Sequence, residues 1–151
     1  MKRDAIEVCR LSVDDIGLAQ RTFRLMAEVF EEPSGLLSEA YVSSLLSRAE
    51  FWALAAVTDD MPIGGVTAHA LPMTRNESTE LFIYDLAVHP DYQRRGVGRA
   101  LVDALRTQAA RRGLAVTFVP ADNDDAHALE FYRALGGDAA PVTVFTWERA
   151  P

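Results

Sequence analysis

The sequence of 151 residues predicts one α/β domain, covering 1–151, built on a mixed β-sheet. Its predicted elements run strand, two helices, three strands, helix, strand, helix, strand. Three consecutive strands favour antiparallel neighbours, so this order excludes a doubly wound parallel sheet. Hydrophobic residues make up 49% of the chain and charged residues 25%, which is the balance of an ordinary globular protein.

The first third of the sequence predicts one strand and two helices. Residues 6–11 alternate apolar and polar side chains, as a half-buried strand does. Ser12 and Asp15 have the spacing of a helix cap and predict a helix to about Val29, which the stretch 31–35 breaks. Ser38 predicts the cap of a second helix.

From Phe51 the pattern changes to strands, and the last third adds two helices. Residues 80–88 are almost uninterruptedly apolar, which is typical of a strand near the centre of a sheet. The remaining predictions are strands at 51–57, 63–71, 115–119 and 142–147, a helix at 97–112 ended by Gly113, and a helix from Asp125 to Gly136.

Charge and cysteine content narrow the class of function. The net charge is -7, from 22 acidic and 15 basic residues, which argues against a nucleic-acid binder and favours cationic small molecules or basic peptides. Cys9 is the single cysteine and cannot form an internal disulfide, so we expect a small core residue and a cytoplasmic protein. The sequence lacks an apolar run long enough to span a membrane, and we expect no membrane partner.

A glycine-containing turn follows the apolar strand at 80–88. Gly96 and Gly98 let the backbone approach a ligand closely, and the next helix offers free N–H groups to an anion. Arg94, Arg95 and Arg99 add positive charge for a pyrophosphate. By itself this fragment also fits a plain strand–turn–helix connection with surface arginines. It is neither a P-loop nor a Rossmann fingerprint, because the glycine spacing differs and no Gly-Lys-Ser/Thr follows.

The stretch Leu86-Ala87-Val88-His89-Pro90 followed by Gln93-Arg94-Arg95-Gly96-Val97-Gly98 resembles the acetyl-CoA motif of the GNAT N-acetyltransferases. A later helix matches that family's second motif at Ala128, Tyr132, Leu135 and Gly136. The resemblance implies a mostly antiparallel sheet that splays at the acetyl-CoA site, flanked by about four helices. It also implies acetyl-CoA binding by Leu86, Ala87, Val88, Arg94, Arg95, Gly96, Val97, Gly98 and Arg99.

A finer resemblance, from about Leu18 to Trp147, is to the type I aminoglycoside 3-N-acetyltransferases. It rests on residues 51–56, on 83–88, and on Pro120-Ala121-Asp122 followed by Asp124-Asp125. Gly137 departs from the family, which usually places an aromatic or apolar residue there. The resemblance implies an aminoglycoside acceptor modified at position 3 of its deoxystreptamine ring, antibiotic resistance and a homodimer.

A polycationic acceptor needs several carboxylates facing one cleft. We expect them to be Asp85, Asp122, Asp124, Asp125, Glu31 and Glu32. Helix capping is the alternative for the three loop aspartates, and a solvated loop is an equal alternative for the two glutamates. Tyr84 is a further acceptor contact only if a bulge interrupts its strand, since adjacent strand residues otherwise face opposite ways.

The candidate chemistry is direct transfer in a ternary complex. An ammonium has no lone pair, so Asp85 is the candidate base that takes its proton, directly or through water. A backbone N–H, that of Val88 or a near neighbour, would stabilise the oxyanion. The resemblance places Tyr132 at the leaving sulfur. The alternatives are a polar strand end for Asp85 and a packed core residue for Tyr132.

Two rival functions stay open at this point. One is a GNAT acting on another amine, such as a polyamine, an amino acid or a protein N-terminus; the other is a non-catalytic acyl-CoA sensor. His69, His89 and His127 are scattered and lack further ligands at metal spacing, so we expect no metal and only surface or packed histidines.

Overall fold

The computed structural model describes residues 5–33 and 35–151, so Ser34 of the predicted helix break lies outside it. The described residues form two compact units, one reaching Pro120 and the other spanning Ala121–Pro151. Within the described ranges, no helix has the length and apolarity needed to cross a membrane.

A five-stranded mixed sheet forms the centre of the first unit. Its strands lie side by side in chain order: β1 (Glu7–Arg10), β2 (Phe51–Thr58), β3 (Met61–Pro72), β4 (Thr79–Val88) and β5 (Val116–Phe118). The first four strands pair antiparallel, whereas β5 runs parallel to β4. Because β5 pairs only with the segment of β4 from Glu80 to Phe82, the sheet opens along the rest of β4. The predicted mostly antiparallel, splayed sheet is confirmed.

Two helices, α1 (Ile16–Val29) and α2 (Glu39–Leu46), pack on one face of this sheet. The predicted Ser12–Asp15 capping box is present, but it caps a short 3-10 turn from which α1 continues. The Ser38 hydroxyl accepts the Tyr41 backbone N–H at 3.1 Å and begins α2 as predicted. The core on this face consists of Leu11, Ala19, Val42, Ala53 and Ala55.

Helix α3 (Val97–Arg111) covers the opposite face. The alternate β2 residues Trp52 and Leu54 point to this side and are at most 1% exposed. They pack with the predicted apolar stripe of α3, which is Val97, Leu101, Leu105 and Ala109. Gly113, at φ +77°, ends the helix because a left-handed conformation disfavours other residues.

The second unit contains one helix, α4 (Ala126–Ala134). The Asp125 carboxylate accepts the Ala128 N–H at 3.0 Å, which confirms the predicted cap, and Gly136 follows the helix at φ +88°. The predicted strand at 142–147 is wrong, since this segment forms neither helix nor strand, and Trp147 is 87% exposed. Alternating apolar residues favour a strand, but a strand forms only beside a partner for its N–H and C=O groups, and no described strand pairs with it.

Candidate active site

The C-terminal half of β4 presents an unpaired backbone edge. The His89 N–H donates to the carbonyl of Ile63 in β3 at 2.7 Å, so the His89 N–H points toward β3. Peptide groups alternate along an antiparallel strand, and therefore those of Leu86 and Val88 face the side that β5 leaves open. The Val88 carbonyl accepts the Gln93 side-chain amide at 3.0 Å, while the Val88 N–H points into the opening. An extended ligand can therefore pair with this edge as an added strand would.

The turn after β4 is shaped to receive an anion. Arg94 and Gly96 adopt left-handed backbone at φ +61° and +80°. An added Cβ at Gly96 would meet nothing within 4 Å, so the conformation and not the space favours glycine there. The first intrahelical bond of α3 joins the Ala100 N–H to the Gly96 carbonyl, which leaves the N–H groups of Val97, Gly98 and Arg99 without a helical partner. These donors and the helix dipole fit a pyrophosphate.

Arg95 and Arg99, on either side of this turn, differ in the contacts that their guanidinium groups already make. The Arg95 guanidinium lies 5.4 Å from the centre of the Tyr92 ring, which orients it. Arg99 Nε lies 3.7 Å from Asp103 Oδ2, so part of the charge of Arg99 is already balanced within the helix. Arg95 therefore supplies an oriented positive charge, and Arg99 a partly neutralised one.

A β-bulge at Tyr84 places two adjacent side chains on the same face of the sheet. Asp85 is opposite Thr67, but Ile83 is opposite Ala68, so Tyr84 is the extra residue of β4. The Tyr84 ring contacts His69, with 5.6 Å between ring centres. Thr67 and His69 lie two residues apart on β3, so their side chains share one face of the sheet. Asp85, which is opposite Thr67, and Tyr84, which contacts His69, therefore lie on that same face. Tyr84 was predicted to be an acceptor contact only if a bulge interrupts its strand, and this bulge is present.

Helix α1 covers this face of the sheet. Gly65 lies two residues before Thr67 on β3, and therefore on the same face, and it packs against Thr22 and Met26 of α1. A row of aromatic rings crosses the same face from β2 to β5. Successive ring centres lie 5.1 to 5.8 Å apart along the row, which consists of Phe51, His69, Tyr84, Phe82 and Phe118. Tyr84 is 63% and Phe118 40% exposed, so this end of the aromatic row is an accessible surface beside Asp85.

Two members of this row, Phe82 and Phe118, were not predicted to be site residues. His69 is packed between Phe51 and Tyr84, in agreement with the predicted surface or packed histidine, but its place in the row was not predicted. The strand positions of all three were readable from the sequence, but the bulge that brings Tyr84 into the row was not.

Burial raises the pKa of Asp85 above the usual range of a carboxyl group. The negative charge of Glu32 raises this pKa further, while His69 opposes the shift. A carboxylate with a raised pKa is a stronger proton acceptor, which suits a general base. Of the two predicted loop glutamates, Glu32 acts on Asp85 electrostatically, and Glu31 adopts a left-handed backbone conformation at φ +59°.

The other predicted site residues lie in the second unit. Burial, followed by the charge of Asp125, raises the pKa of the Tyr132 hydroxyl above its usual value. Asp122 accepts the Asp124 backbone N–H at 2.9 Å, and Asp125 caps α4, so two of the three predicted loop aspartates also have local structural roles. The Gly137 N–H donates to the Tyr132 carbonyl at 3.0 Å, which closes the turn despite the unusual glycine.

Comparison with known proteins agrees with this geometry. The model of the acetyltransferase (GNAT) family matches residues 18–136. A solved aminoglycoside acetyltransferase from an uncultured soil metagenomic sample is 32% identical with a TM-score of 0.90, covering 97% of this chain and 99% of that one. A second such enzyme from an uncultured soil metagenomic sample, solved with sisomicin, is 28% identical with a TM-score of 0.89 and 97% coverage of both chains.

A curated relative is the ribosomal protein bS18 alanine N-acetyltransferase of Escherichia coli K12. It is 34% identical over 73 residues, which is 48% of this chain and 49% of that protein. The match therefore spans about half the length of this relative. The family match over most of the chain, together with the open edge of β4 and the anion-binding turn, shows that this chain belongs to the GNAT family of acetyltransferases.

Proposed function

We propose that this GNAT transfers the acetyl group of acetyl-CoA to an amine of an aminoglycoside, at position 3 of the deoxystreptamine ring. The observation that carries the proposal is the bulge of β4, which sets Asp85 and Tyr84 side by side next to the open edge of the strand. The two solved aminoglycoside acetyltransferases, aligned over 97% of this chain, support the choice of acceptor. Antibiotic resistance, a single domain and a homodimer belong to the same proposal.

Acetyl-CoA binds in this proposal along the open edge of β4. Its pantetheine arm pairs with the outward peptide groups of Leu86 and Val88, as an added strand would. Its pyrophosphate lies on the turn, where the N–H groups at the start of α3 and the oriented Arg95 balance the negative charge.

The reaction needs one proton acceptor, one oxyanion donor and one proton donor. Asp85 takes a proton from the acceptor ammonium, and the neutral nitrogen attacks the thioester carbonyl. A backbone N–H of β4 that the pantetheine arm leaves free, at Val88 or a near neighbour, stabilises the oxyanion that forms. The carbon–sulfur bond then breaks, and the departing CoA thiolate takes the Tyr132 proton. The acetylated nitrogen loses its second proton, which passes through water to the Tyr132 phenolate, so that the products are the neutral amide and CoA.

Cation recognition rests on charge and on aromatic faces. Asp85 and Glu32 supply negative charge within the first unit, and Asp122, Asp124 and Asp125 are proposed to add to it. The exposed end of the aromatic row offers π-faces to further ammonium groups, each worth about 0.5–2 kcal/mol. Amines that carry several charges on a compact ring system gain most from this combination.

A second candidate is acetylation of a peptide N-terminus that begins with alanine. The match to the bS18 alanine N-acetyltransferase favours it, because that enzyme also uses an amine acceptor. The acidic character of the chain suits a basic peptide as well as an aminoglycoside.

The test is CoA release from acetyl-CoA with sisomicin, gentamicin, kanamycin, spermidine or a basic peptide beginning with alanine. We expect turnover on the aminoglycosides and a product mass increased by one acetyl group, whose position NMR assigns. Asp85→Asn should lower kcat by about 10²- to 10⁴-fold. Tyr132→Phe should lower kcat as well, whereas Tyr41→Phe, at a tyrosine of α2 that is 55% exposed, should have no effect.

Each alternative has its own outcome in this experiment. Turnover on the peptide or spermidine alone would replace the aminoglycoside with that acceptor. Binding of acetyl-CoA without turnover on any amine would indicate an acyl-CoA sensor. Product acetylated at another ring position would contradict the proposed regiochemistry while leaving the acceptor class intact.

A further inference from the structure

A cavity of about 330 Å³ lies in the first unit where β1 ends and β2 begins. Three arginines line it, Arg10, Arg48 and Arg112, together with the apolar side chains of Leu46 and Phe51. The described lining contains no acidic residue, although the chain as a whole has a net charge of -7. Its volume falls at the lower end of the range for small-molecule sites, which is roughly 300–1,000 Å³.

Two of these arginines are held in place by the same ring. The guanidinium carbon of Arg10 lies 4.5 Å, and that of Arg112 5.6 Å, from the centre of the Trp52 ring. Trp52 is 1% exposed and fixed in the core, so both arginines rest on a rigid support. Arg10 Nη1 also donates to Gln108 Oε1 at 3.2 Å, which orients the half-buried guanidinium further.

This arrangement brings the positive charges of Arg10 and Arg112 close to each other. Among the described residues, no carboxylate forms an ion pair with Arg10, Arg48 or Arg112. Burial and the charge of Arg112 together lower the pKa of Arg10. An anion bound between the guanidinium groups would relieve this repulsion, and the planar fork of arginine matches the oxygens of a phosphate group.

The cavity is separate from the anion-binding turn. Helix α3 begins at that turn and ends next to Arg112, and its 15 residues span about 22 Å. The register agrees, because Phe51 of the cavity pairs with His69 whereas Val88 pairs with Gly64, and these two positions of β3 lie five residues, about 17 Å, apart.

We propose that this arginine cavity binds the dianionic phosphate of a small phosphate monoester. The phosphate lies among Arg10, Arg48 and Arg112, and the organic part of the ester rests against Leu46 and Phe51. This site is additional to the acetyl-transfer site and does not depend on which amine is the acceptor.

The test is isothermal titration with glycerol 3-phosphate and, separately, with inorganic phosphate. Saturating CoA is present throughout so that the anion-binding turn is occupied, and chloride keeps the ionic strength constant. We expect binding that Arg112→Gln weakens about tenfold or more, because a charge-assisted hydrogen bond is lost. Arg10→Lys, which keeps the charge but removes the fork, should also weaken it.

Arg111→Gln is the matched control, since it removes an exposed charge next to Arg112 from a residue outside the cavity. Its phosphate affinity should equal that of the unaltered chain, and circular dichroism should show that all variants are folded. Tighter binding of the ester supports a metabolite ligand, and tighter binding of inorganic phosphate would reassign the site to the free ion. Equal affinity in Arg112→Gln, or heats no larger than those of chloride, would overturn the proposal.

Discussion

Asp85 acquires its chemistry from the residues around it. Its partial burial disfavours the charged form, and the negative charge of Glu32 disfavours it further, so the pKa of the carboxyl group rises. A general base works only in its ionised form. A raised pKa therefore moves the low-pH limb of the activity profile to a higher pH than an exposed aspartate would give.

This cause yields a pH prediction with a matched control. Glu32→Gln removes the repulsive charge, so the pKa of Asp85 should fall and the low-pH limb of kcat/KM should move to lower pH. Glu31→Gln removes the same charge one residue earlier and should leave the limb in place. The pH dependence of kcat/KM for both variants is the measurement. Equal shifts of the low-pH limb in both variants would show that the pKa of Asp85 responds to the total charge of the loop and not to Glu32 in particular.

At the scale of residues, the sequence predicted individual positions better than the contacts between them. The Ser38 and Asp125 caps and the glycine turn are local features with local signals, and the structure has them, while the role of Asp85 as the base stays a prediction. The face of the sheet on which the Tyr84 side chain lies depends on a β-bulge. The bulge is set by how β4 pairs with β3, and the sequence alone does not indicate it. The aromatic row depends on that same pairing.

Helix α1 packs against the sheet at a glycine of β3. A Cβ added to Gly65 would lie 2.7 Å from both Met26 Sδ and Thr22 Cγ2. Methionine can move aside, but a buried threonine on a helix has little rotameric freedom. The absence of a side chain at Gly65 is therefore what lets α1 cover the face that carries Asp85.

Gly65→Ala should push α1 away from β3 and lower the free energy of unfolding by about 1–3 kcal/mol. Gly17→Ala is its counterpart on α1, where an added methyl group meets nothing within 4 Å. That change should raise the free energy of unfolding by about 0.5–1 kcal/mol, because alanine favours the helix. Urea denaturation measures both. A stable Gly65→Ala variant would show that α1 shifts without cost.

Most elements were predictable because their periodicity is strong. The apolar stripe of α3 and the apolar runs of β2 and β3 predicted those elements with ends within a few residues. The segment 142–147 was not predictable, since its alternation expresses a preference for a strand, and pairing depends on a neighbour elsewhere. For the same reason, the splay of β4 from β5 followed only from the family resemblance.

The charge of the whole chain acts on every approaching substrate. A net charge of -7 attracts a polycation and repels an anion, and salt weakens both effects. The screening length falls from about 10 Å at 0.1 M salt to about 3 Å at 1 M. We therefore expect kcat/KM for a multiply charged aminoglycoside to fall steeply as sodium chloride rises over this range.

A singly charged amine is the control for this prediction, and its kcat/KM should fall much less over the same salt range. Steady-state CoA release at several salt concentrations measures both dependences. Equal slopes would show that the acceptor is recognised by contacts alone, without long-range attraction.

The two tryptophans of the sequence lie in opposite environments. Trp52 is 1% exposed beneath two arginines, and Trp147 is 87% exposed in the C-terminal segment. The chain therefore contains two fluorescent reporters that a quencher can separate. Acrylamide should quench Trp147 readily and Trp52 hardly at all, and Trp147→Phe should leave a single, shielded emission. Shielding of Trp147 in solution would show that another surface covers the C-terminal segment.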